Sequence, residues 1–339
     1  MKILAMQFRY FGDAVIMTPA LRAIKEHFPD AALHVLVAEE VAPLFQHLPW
    51  LKRVWAFPRA RGKAKLRRSW PVIRALRREH FDRSVDFGSG DRSAILSLLC
   101  GARQRLAPLW PGGFLGRRYC YTQTVPIPES LHEIRRNLHL LSAWGIGSPN
   151  SLDMEIRTDP TRDNAAAQLL PRPVILCHLA SGAIKKEWPL AHWAEFYRQV
   201  TGAGYEAVFS TGISPRAQAG LADLKKLVPE APSLPATPDL ALFLAVVKRA
   251  RLFVAGDTGP LHFAAGLGVP TIAMFGPSSI PQWAPLGSKH RALQGSPCTC
   301  DGNIGVCQSA SPCMAKISPE AVVQMVRQTL PSPVASGRA

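Results

Sequence analysis

Short apolar segments alternate with amphipathic helical segments along most of this chain, and this alternation constrains the fold more than any other feature. Strands that alternate with helices predict parallel sheets with right-handed connections, so we expect an α/β protein. In the first half of the chain the pattern predicts strands at 2–7, 33–38, 53–57 and 83–87, and helices at 18–28, 92–99 and 129–144.

The alternation breaks once, at a segment rich in Gly, Pro and Asp (145–164), and then restarts. A length of 339 residues also suits two domains better than one. We therefore predict domains over 1–165 and 166–317, with a C-terminal helix over 318–330 as a candidate for packing back on the first domain. The predicted elements of the second half are strands 173–179, 205–210, 251–256 and 270–276, and helices 190–202, 214–228 and 239–249.

Each half is expected to be a doubly wound, Rossmann-like domain. Ligands of open parallel sheets bind beyond the carboxyl ends of the strands. Two such domains that face each other leave a central cleft, and polar residues at strand ends are the candidates for lining it.

The most informative strand end is "AGDTGPLHFAAGLG", where an apolar run stops at Asp257-Thr258-Gly259 and a helix carrying His262 follows. The first N–H groups of a helix have no helical acceptor and carry the positive end of its dipole, so this terminus favours an anion. Gly259 lets a phosphate approach the backbone. Asp257 suits a sugar hydroxyl, although it could instead only cap the helix, and His262 could be a core histidine.

A second candidate for anion binding is "HLASGAIKKEWP", which also follows a strand. Here Ser181 lies in a small-residue turn, and Lys186 can place an ammonium on a phosphate, unless the lysine pair is only an exposed one. The segment does not have the Walker pattern of a P-loop. No Gly-x-Gly-x-x-Gly follows the first strand, which argues against a nicotinamide dehydrogenase.

In the first half, Gly12-Asp13 follows the first strand in a predicted loop. A carboxylate there could take a proton from an acceptor hydroxyl. The alternative is an aspartate that only forms a turn after glycine.

The net charge of +16 indicates an anionic partner. The densest basic stretch is 58–83, which is either a solvated helix face or a surface for anionic ligands. Nucleic acid is not expected, because the chain shows no reading helix or spaced stacking aromatics. No apolar run is long enough to span a bilayer, and the N-terminus does not resemble a signal peptide. We therefore expect a cytoplasmic protein; nothing in the sequence sets its oligomeric state.

Four of the seven cysteines lie close together near the C-terminus. The one-residue gap between Cys298 and Cys300 is tighter than the usual spacing of zinc ligands. We therefore favour a packed loop of reduced thiols over a metal site, and core positions for Cys100, Cys120 and Cys177. The four clustered thiols are Cys298, Cys300, Cys307 and Cys313.

Three segments together resemble glycosyltransferase family 9, the ADP-heptose:lipopolysaccharide heptosyltransferases: "FGDAVIMTPALRAIKEHFPDAALHVLV", "KKEWP" and "GDTGPLHFAAGLGVPTIAMFGPS". The likeness extends from residue 2 to about residue 327. The stretch "VDFGSGDRSAILSLLCGAR" and the cysteine segment are more similar to the third type of core heptosyltransferase in this family. The resemblance implies a GT-B fold and an inverting, metal-independent transfer of heptose from ADP-heptose to a sugar hydroxyl of the lipopolysaccharide inner core.

The resemblance also implies roles for individual residues and a place in the cell. Asp13 would be the general base, with Gly12 in the acceptor-side loop, and Asp257 would hold the donor heptose. The enzyme would need no cofactor besides its donor and would act at the anionic inner face of the inner membrane on a lipid-linked acceptor. The diphosphate would be contacted by Ser181, Lys186, Thr258, Gly259 and His262.

Two alternatives remain open at this point. A related enzyme of the same fold could use another nucleotide sugar for O-chain or capsule synthesis. The loop "STGISPRAQAG" (210–220) does not contain the acidic residue that some family members place near the donor ribose, which leaves the identity of the nucleotide open. The chain could instead be a non-catalytic module that binds nucleotide sugars or a membrane surface. Asp13 separates these classes, since a binding module needs no base.

Overall fold

The computed structural model describes residues 1–58, 66–295, 298, 307 and 309–332. The chain forms two compact units, Met1–Arg157 and Thr158–Ala339. Each unit is built around its own parallel sheet, which confirms the α/β class and the two doubly wound domains expected from the alternating pattern.

The sheet of the first unit has six parallel strands in the order β3-β2-β1-β4-β5-β6. The central strands β1 and β2 are almost entirely buried, because helices cover both faces of such a sheet. Chain order reverses between β1 and β4, which places the topological switch point at their carboxyl ends. The strands are β1 (Lys2–Gln7), β2 (Ala32–Ala38), β3 (Arg53–Phe57), β4 (Arg83–Asp86), β5 (Gln104–Pro108) and β6 (Gln123–Val125).

Among the described residues of this unit, the α-helices are α1 (Phe11–Ile16), α2 (Thr18–His27), α3 (Leu66–Arg78), α4 (Asp91–Leu99) and α5 (Glu133–Leu141). Helix α3 buries Ile73 and Leu76 against the sheet and exposes its basic positions. Among these, Arg67 and Arg68 are exposed, as the basic stretch predicted. The remaining basic residues that we singled out lie outside the described residues: Arg59, Arg61, Lys63 and Lys65.

The sheet of the second unit has five parallel strands in the order β11-β10-β9-β7-β8, so its switch point lies between β7 and β9. Its strands are β7 (Ile175–His178), β8 (Ala207–Ser210), β9 (Leu252–Gly256), β10 (Thr271–Phe275) and β11 (His290–Gln294). Its helices are α6 (Asp163–Leu169), α7 (Leu190–Gly202), α8 (Pro215–Leu227), α9 (Leu240–Lys248), α10 (Gly259–Gly266), α11 (Ile280–Trp283) and α12 (Pro319–Thr329).

The C-terminal helix packs within the second unit. Its apolar residues Val322, Val323 and Val326 are buried in the core of that unit, where α12 packs against α7 and β10. Packing of this helix on the first domain stays a prediction. The division between the units falls before α6, which packs against α9.

Candidate active site

The candidate donor residues of the second unit lie at its switch point. The loop after β7 carries Ser181, and a single turn of 3₁₀ helix (Ile184–Lys186) follows it. The adjacent strand β9 ends at Gly256 and is followed directly by Asp257. Two segments that are far apart in sequence therefore meet at neighbouring strand ends.

An ion pair joins these two segments. The Nζ of Lys186 lies 2.6 Å from Oδ2 of Asp257, and the two side chains are only 17% and 9% exposed. The hydroxyl of Ser181 donates to the carbonyl oxygen of Asp257 at 3.2 Å. Asp257 does not cap helix α10, because the N-cap position belongs to Thr258. The structure thus brings together three of the predicted residues and assigns the aspartate a specific partner.

Gly256 makes this close approach possible. A Cβ atom at this position would lie 2.7 Å from the carbonyl oxygen of Lys186, which is closer than a side chain tolerates. The turn that carries Lys186 therefore rests directly on the end of β9. Glycine is required here by contact with the backbone rather than by an unusual φ angle.

Helix α10 starts at Gly259, one residue after the aspartate. Thr258 and Gly259 are half-buried, so the first turn of the helix is accessible. The helix dipole and the first N–H groups provide positive potential at this point, beside the ammonium of Lys186. His262 is 3% exposed and lies in the next turn of the same helix.

Two further charged residues hold the Ser181 loop, and sequence reasoning missed both. Glu187 accepts the backbone N–H of Ser181 at 2.9 Å. Arg216 donates to the same carboxylate oxygen at 2.6 Å and to the carbonyl oxygen of Ser181 at 2.7 Å. One signal was available: Arg216 is in the first turn of α8, where the helix dipole disfavours a cation, so it needed an anionic partner.

Lys185 and Lys186 differ in their surroundings. The side chain of Lys186 points to Asp257, whereas Lys185 is 7% exposed and belongs to the buried residues. The pair is therefore not the exposed lysine pair that we considered as an alternative.

In the first unit, Gly12 and Asp13 lie in the first turn of helix α1, whereas the sequence predicted a loop. The Oδ2 of Asp13 accepts the backbone N–H of Tyr10 at 3.3 Å, which closes this turn. Both residues are buried, and they follow β1 at the switch point of their own sheet.

The surroundings of Asp13 increase its basicity. Burial raises its pKa above the model-peptide value of 3.8, while Arg9, whose Nη1 is 3.5 Å from Oδ1, acts in the opposite direction. The negative charge of Glu133, at the start of α5, raises the pKa further. Sequence reasoning did not identify Glu133, because its influence depends on tertiary proximity between helices α1 and α5.

Four of the described cysteines are buried in the manner of small apolar residues. Cys100, Cys120 and Cys177 are buried, as predicted. Burial, followed by the neighbouring thiol of Cys298, raises the pKa of Cys313. Cys300 lies outside the described residues. Within the described ranges, no group of three or more His, Cys, Asp or Glu side chains is arranged to hold a metal ion. Among the same residues, no helix has the length and apolar character to cross a bilayer.

Comparisons with known proteins identify the family and the fold. The family model described as glycosyltransferase family 9 (heptosyltransferase) matches residues 69–305. Lipopolysaccharide heptosyltransferase 3 of Escherichia coli is 23% identical, over 82% of this chain and 84% of the relative. The solved glycosyltransferase of family 9 from Veillonella parvula superimposes with a TM-score of 0.80 at 17% identity, and covers 97% of this chain and 96% of its own.

A second solved structure, the ADP-heptose lipopolysaccharide heptosyltransferase II of E. coli, gives a TM-score of 0.76 at 20% identity, with 97% and 98% of the two chains covered. The fold is therefore GT-B, and the protein is a glycosyltransferase. Since the family model spans more than half of the chain, the protein belongs to glycosyltransferase family 9. Relatives of both the second and the third type match, so these comparisons favour neither type.

Proposed function

We propose that this glycosyltransferase transfers heptose from ADP-heptose to a sugar hydroxyl of the lipopolysaccharide inner core, with inversion at the anomeric carbon. The observation that carries the proposal is the ion pair of Lys186 and Asp257 beside the first turn of α10. This arrangement offers positive charge to a diphosphate and a carboxylate to a sugar. The names of the relatives suggest the donor and the acceptor.

The diphosphate would be bound by groups that supply positive charge or hydrogen-bond donors. Lys186 offers an ammonium, and Thr258 and Gly259 offer backbone N–H groups at a helix terminus. The hydroxyl of Ser181 and the ring of His262 would complete this part of the site. Asp257 uses Oδ2 for Lys186, and its Oδ1 would accept a hydrogen bond from a hydroxyl of the donor heptose.

Asp13 would act as the general base. Its carboxylate takes the proton of the acceptor hydroxyl while that oxygen attacks the anomeric carbon of the heptose. The bond between the anomeric carbon and the β-phosphate oxygen breaks at the same time, and ADP leaves with the electron pair. A raised pKa suits this role, because a carboxylate of higher pKa is a stronger base.

The negative charge that develops on ADP would be stabilised by Lys186 and the N-terminal dipole of α10. These groups can provide the positive charge that a divalent cation provides in other sites, so we propose that transfer requires no metal and no cofactor. Turnover that survives chelation with EDTA is the expected result.

The acceptor would be lipid-linked, so the enzyme would work at the inner face of the inner membrane, as a peripheral protein. The exposed Arg67 and Arg68 of helix α3 are described members of the basic stretch that would be attracted to this anionic surface.

The test is to incubate the purified protein with a panel of nucleotide sugars and truncated lipopolysaccharide acceptors, and to identify the product by mass spectrometry. We expect a mass increase of one heptose with ADP-heptose only. Asp13→Asn should abolish the product, while Asp30→Asn, which removes an exposed carboxylate of the same unit, should not. Transfer of another sugar, or no transfer from any donor, would contradict the proposal.

A further inference from the structure

The segment between β5 and β6 exposes an unusual number of apolar side chains. Within residues 109–119, Trp110 is 58% exposed and Leu115 is fully exposed at 102%. Single exposed apolar residues are common on soluble proteins, but a short segment with five of them marks an interaction surface. We call this segment the apolar loop; its exposed side chains are Leu109, Trp110, Phe114, Leu115 and Tyr119.

A buried arginine holds this loop in shape. Arg117 is only 7% exposed; it donates from Nη1 to the carbonyl oxygen of Gly112 at 2.9 Å and from Nη2 to the carbonyl oxygen of Ser89. Its Nε also lies 3.8 Å from Oδ1 of Asp91, in helix α4. The apolar side chains are therefore presented by an anchored loop, which reduces the entropy lost when they bind a partner.

The charge of this region selects the kind of partner. Within the apolar loop itself, residues 109–119, the sequence contains two arginines and no aspartate or glutamate. One of them, the exposed Arg118, lies next to the aromatic ring of Tyr119, with its guanidinium carbon 4.8 Å from the ring centre. Trp, Tyr and Leu accompanied by cations are typical of segments that rest at the interface of an anionic bilayer.

The position of the loop fits such a partner. It follows β5 at the carboxyl end of the first sheet, the same end at which Asp13 follows β1. We propose that the apolar loop inserts Trp110 and Leu115 into the interface of an anionic lipid bilayer and so seats the first unit on the membrane. This inference rests on the proposed function in one respect, namely that the acceptor is lipid-linked. The basic stretch would attract the protein to the membrane surface by charge, whereas the apolar loop enters the lipid interface.

The experiment measures binding of the full chain to vesicles, with no acceptor present. One set of vesicles contains one part phosphatidylglycerol to two parts phosphatidylcholine, and the other contains phosphatidylcholine only. The variants are Trp110→Ser with Leu115→Ser, and Leu227→Ser as a matched control that removes an apolar side chain of 44% exposure from α8 in the second unit.

We expect the double variant to lose about tenfold or more in its partition to anionic vesicles, because each of the two side chains loses part of its transfer free energy. The control should bind like the original protein, and the melting temperature of the double variant should be unchanged. Lipids that carry a fluorescence quencher in the upper acyl chain should quench the original protein more than Trp110→Phe, since the other seven tryptophans are common to both.

Equal vesicle binding of the double variant and the control would overturn the proposal, as would equal quenching in the Trp110→Phe comparison. The alternative is that a second copy of the chain covers the apolar loop, and light scattering after gel filtration tests it. If the original protein self-associates without lipid and the double variant does not, the loop is a subunit interface and the proposal is wrong. Failure of heptose transfer would leave these measurements unchanged, so the two proposals fail separately.

Discussion

Replacement of Asp13 by asparagine removes a proton acceptor while it keeps the shape of the side chain. If Asp13 is the general base, kcat should fall by about 10²–10⁴-fold, the usual contribution of such a group. At 1.36 kcal/mol for each factor of ten, this fall corresponds to about 2.7–5.4 kcal/mol in activation free energy. The affinity for ADP should not change, because Lys186 and Asp257 belong to the other unit.

The same replacement should stabilise the protein at neutral pH. Burial raises the pKa of Asp13 in the folded state above 3.8, so the ionised carboxylate is disfavoured by folding. A group with a raised pKa contributes stability below its unfolded pKa and loses it as the pH rises through its folded pKa. Asparagine carries no such charge, so its advantage should be largest at neutral pH and should shrink as the pH is lowered through the raised pKa. Turnover by the original enzyme should fall as the pH is lowered through this raised pKa, because Asp13 can accept a proton only when it is ionised.

Three measurements check this reasoning: initial rates with a truncated, lipid-linked acceptor, calorimetry with ADP, and thermal unfolding between pH 4 and pH 8, a window that spans about four units above the ordinary carboxyl pKa. Asp30→Asn, an exposed carboxylate in the same unit, serves as the control. Turnover close to that of the original enzyme would remove Asp13 from catalysis. A loss of turnover together with a lower melting temperature would indicate a structural role instead.

Three further experiments test the donor site and the basic stretch. Lys186→Ala should weaken ADP binding by roughly 1.5–3 kcal/mol and more than Lys185→Ala does, because the ammonium of Lys186 lies 2.6 Å from Asp257 at the site; calorimetry that ranks them the other way contradicts this. Gly256→Ala should lower ADP affinity and the melting temperature together, since its Cβ would meet the carbonyl oxygen of Lys186 at 2.7 Å, and an unchanged affinity would argue against this contact. Reversal of charge at Arg67 and Arg68 should weaken vesicle co-sedimentation, because each basic residue near an anionic surface contributes about 1 kcal/mol of binding free energy. The KM for the lipid-linked acceptor should rise, and the KM for the donor should stay constant. Unchanged co-sedimentation would show that the two arginines form only a solvated face.

Much of the fold was predictable because its central elements carry strong local signals. Strand β9 is a continuous apolar run that stops at polar residues, and helix α7 has the bounds that its periodicity predicts. Strands β5, β6 and β11 were missed. They are only partly buried, so their sequences do not contain the apolar run that marks a central strand.

The strand-end positions of the candidate residues were predictable, but their contacts were not. Residues at strand ends can be identified from the sequence, because a sheet brings its carboxyl ends to one edge. The hydrogen bonds of Glu187 and Arg216 with the Ser181 loop join segments that no local pattern relates. Asp13 was expected in a loop because it comes shortly after the first strand, yet the bond from Tyr10 closes a helical turn there.

The ion pair of Lys186 with Asp257 has a consequence for how fast the enzyme can turn over. The ammonium of Lys186 is already paired with Asp257, so in the proposed complex a diphosphate would meet a positive charge that the carboxylate partly offsets. We expect this shared lysine to limit the affinity for ADP. The aspartate would thereby shorten the residence time of the product, which matters in enzymes whose rate is set by release rather than by chemistry.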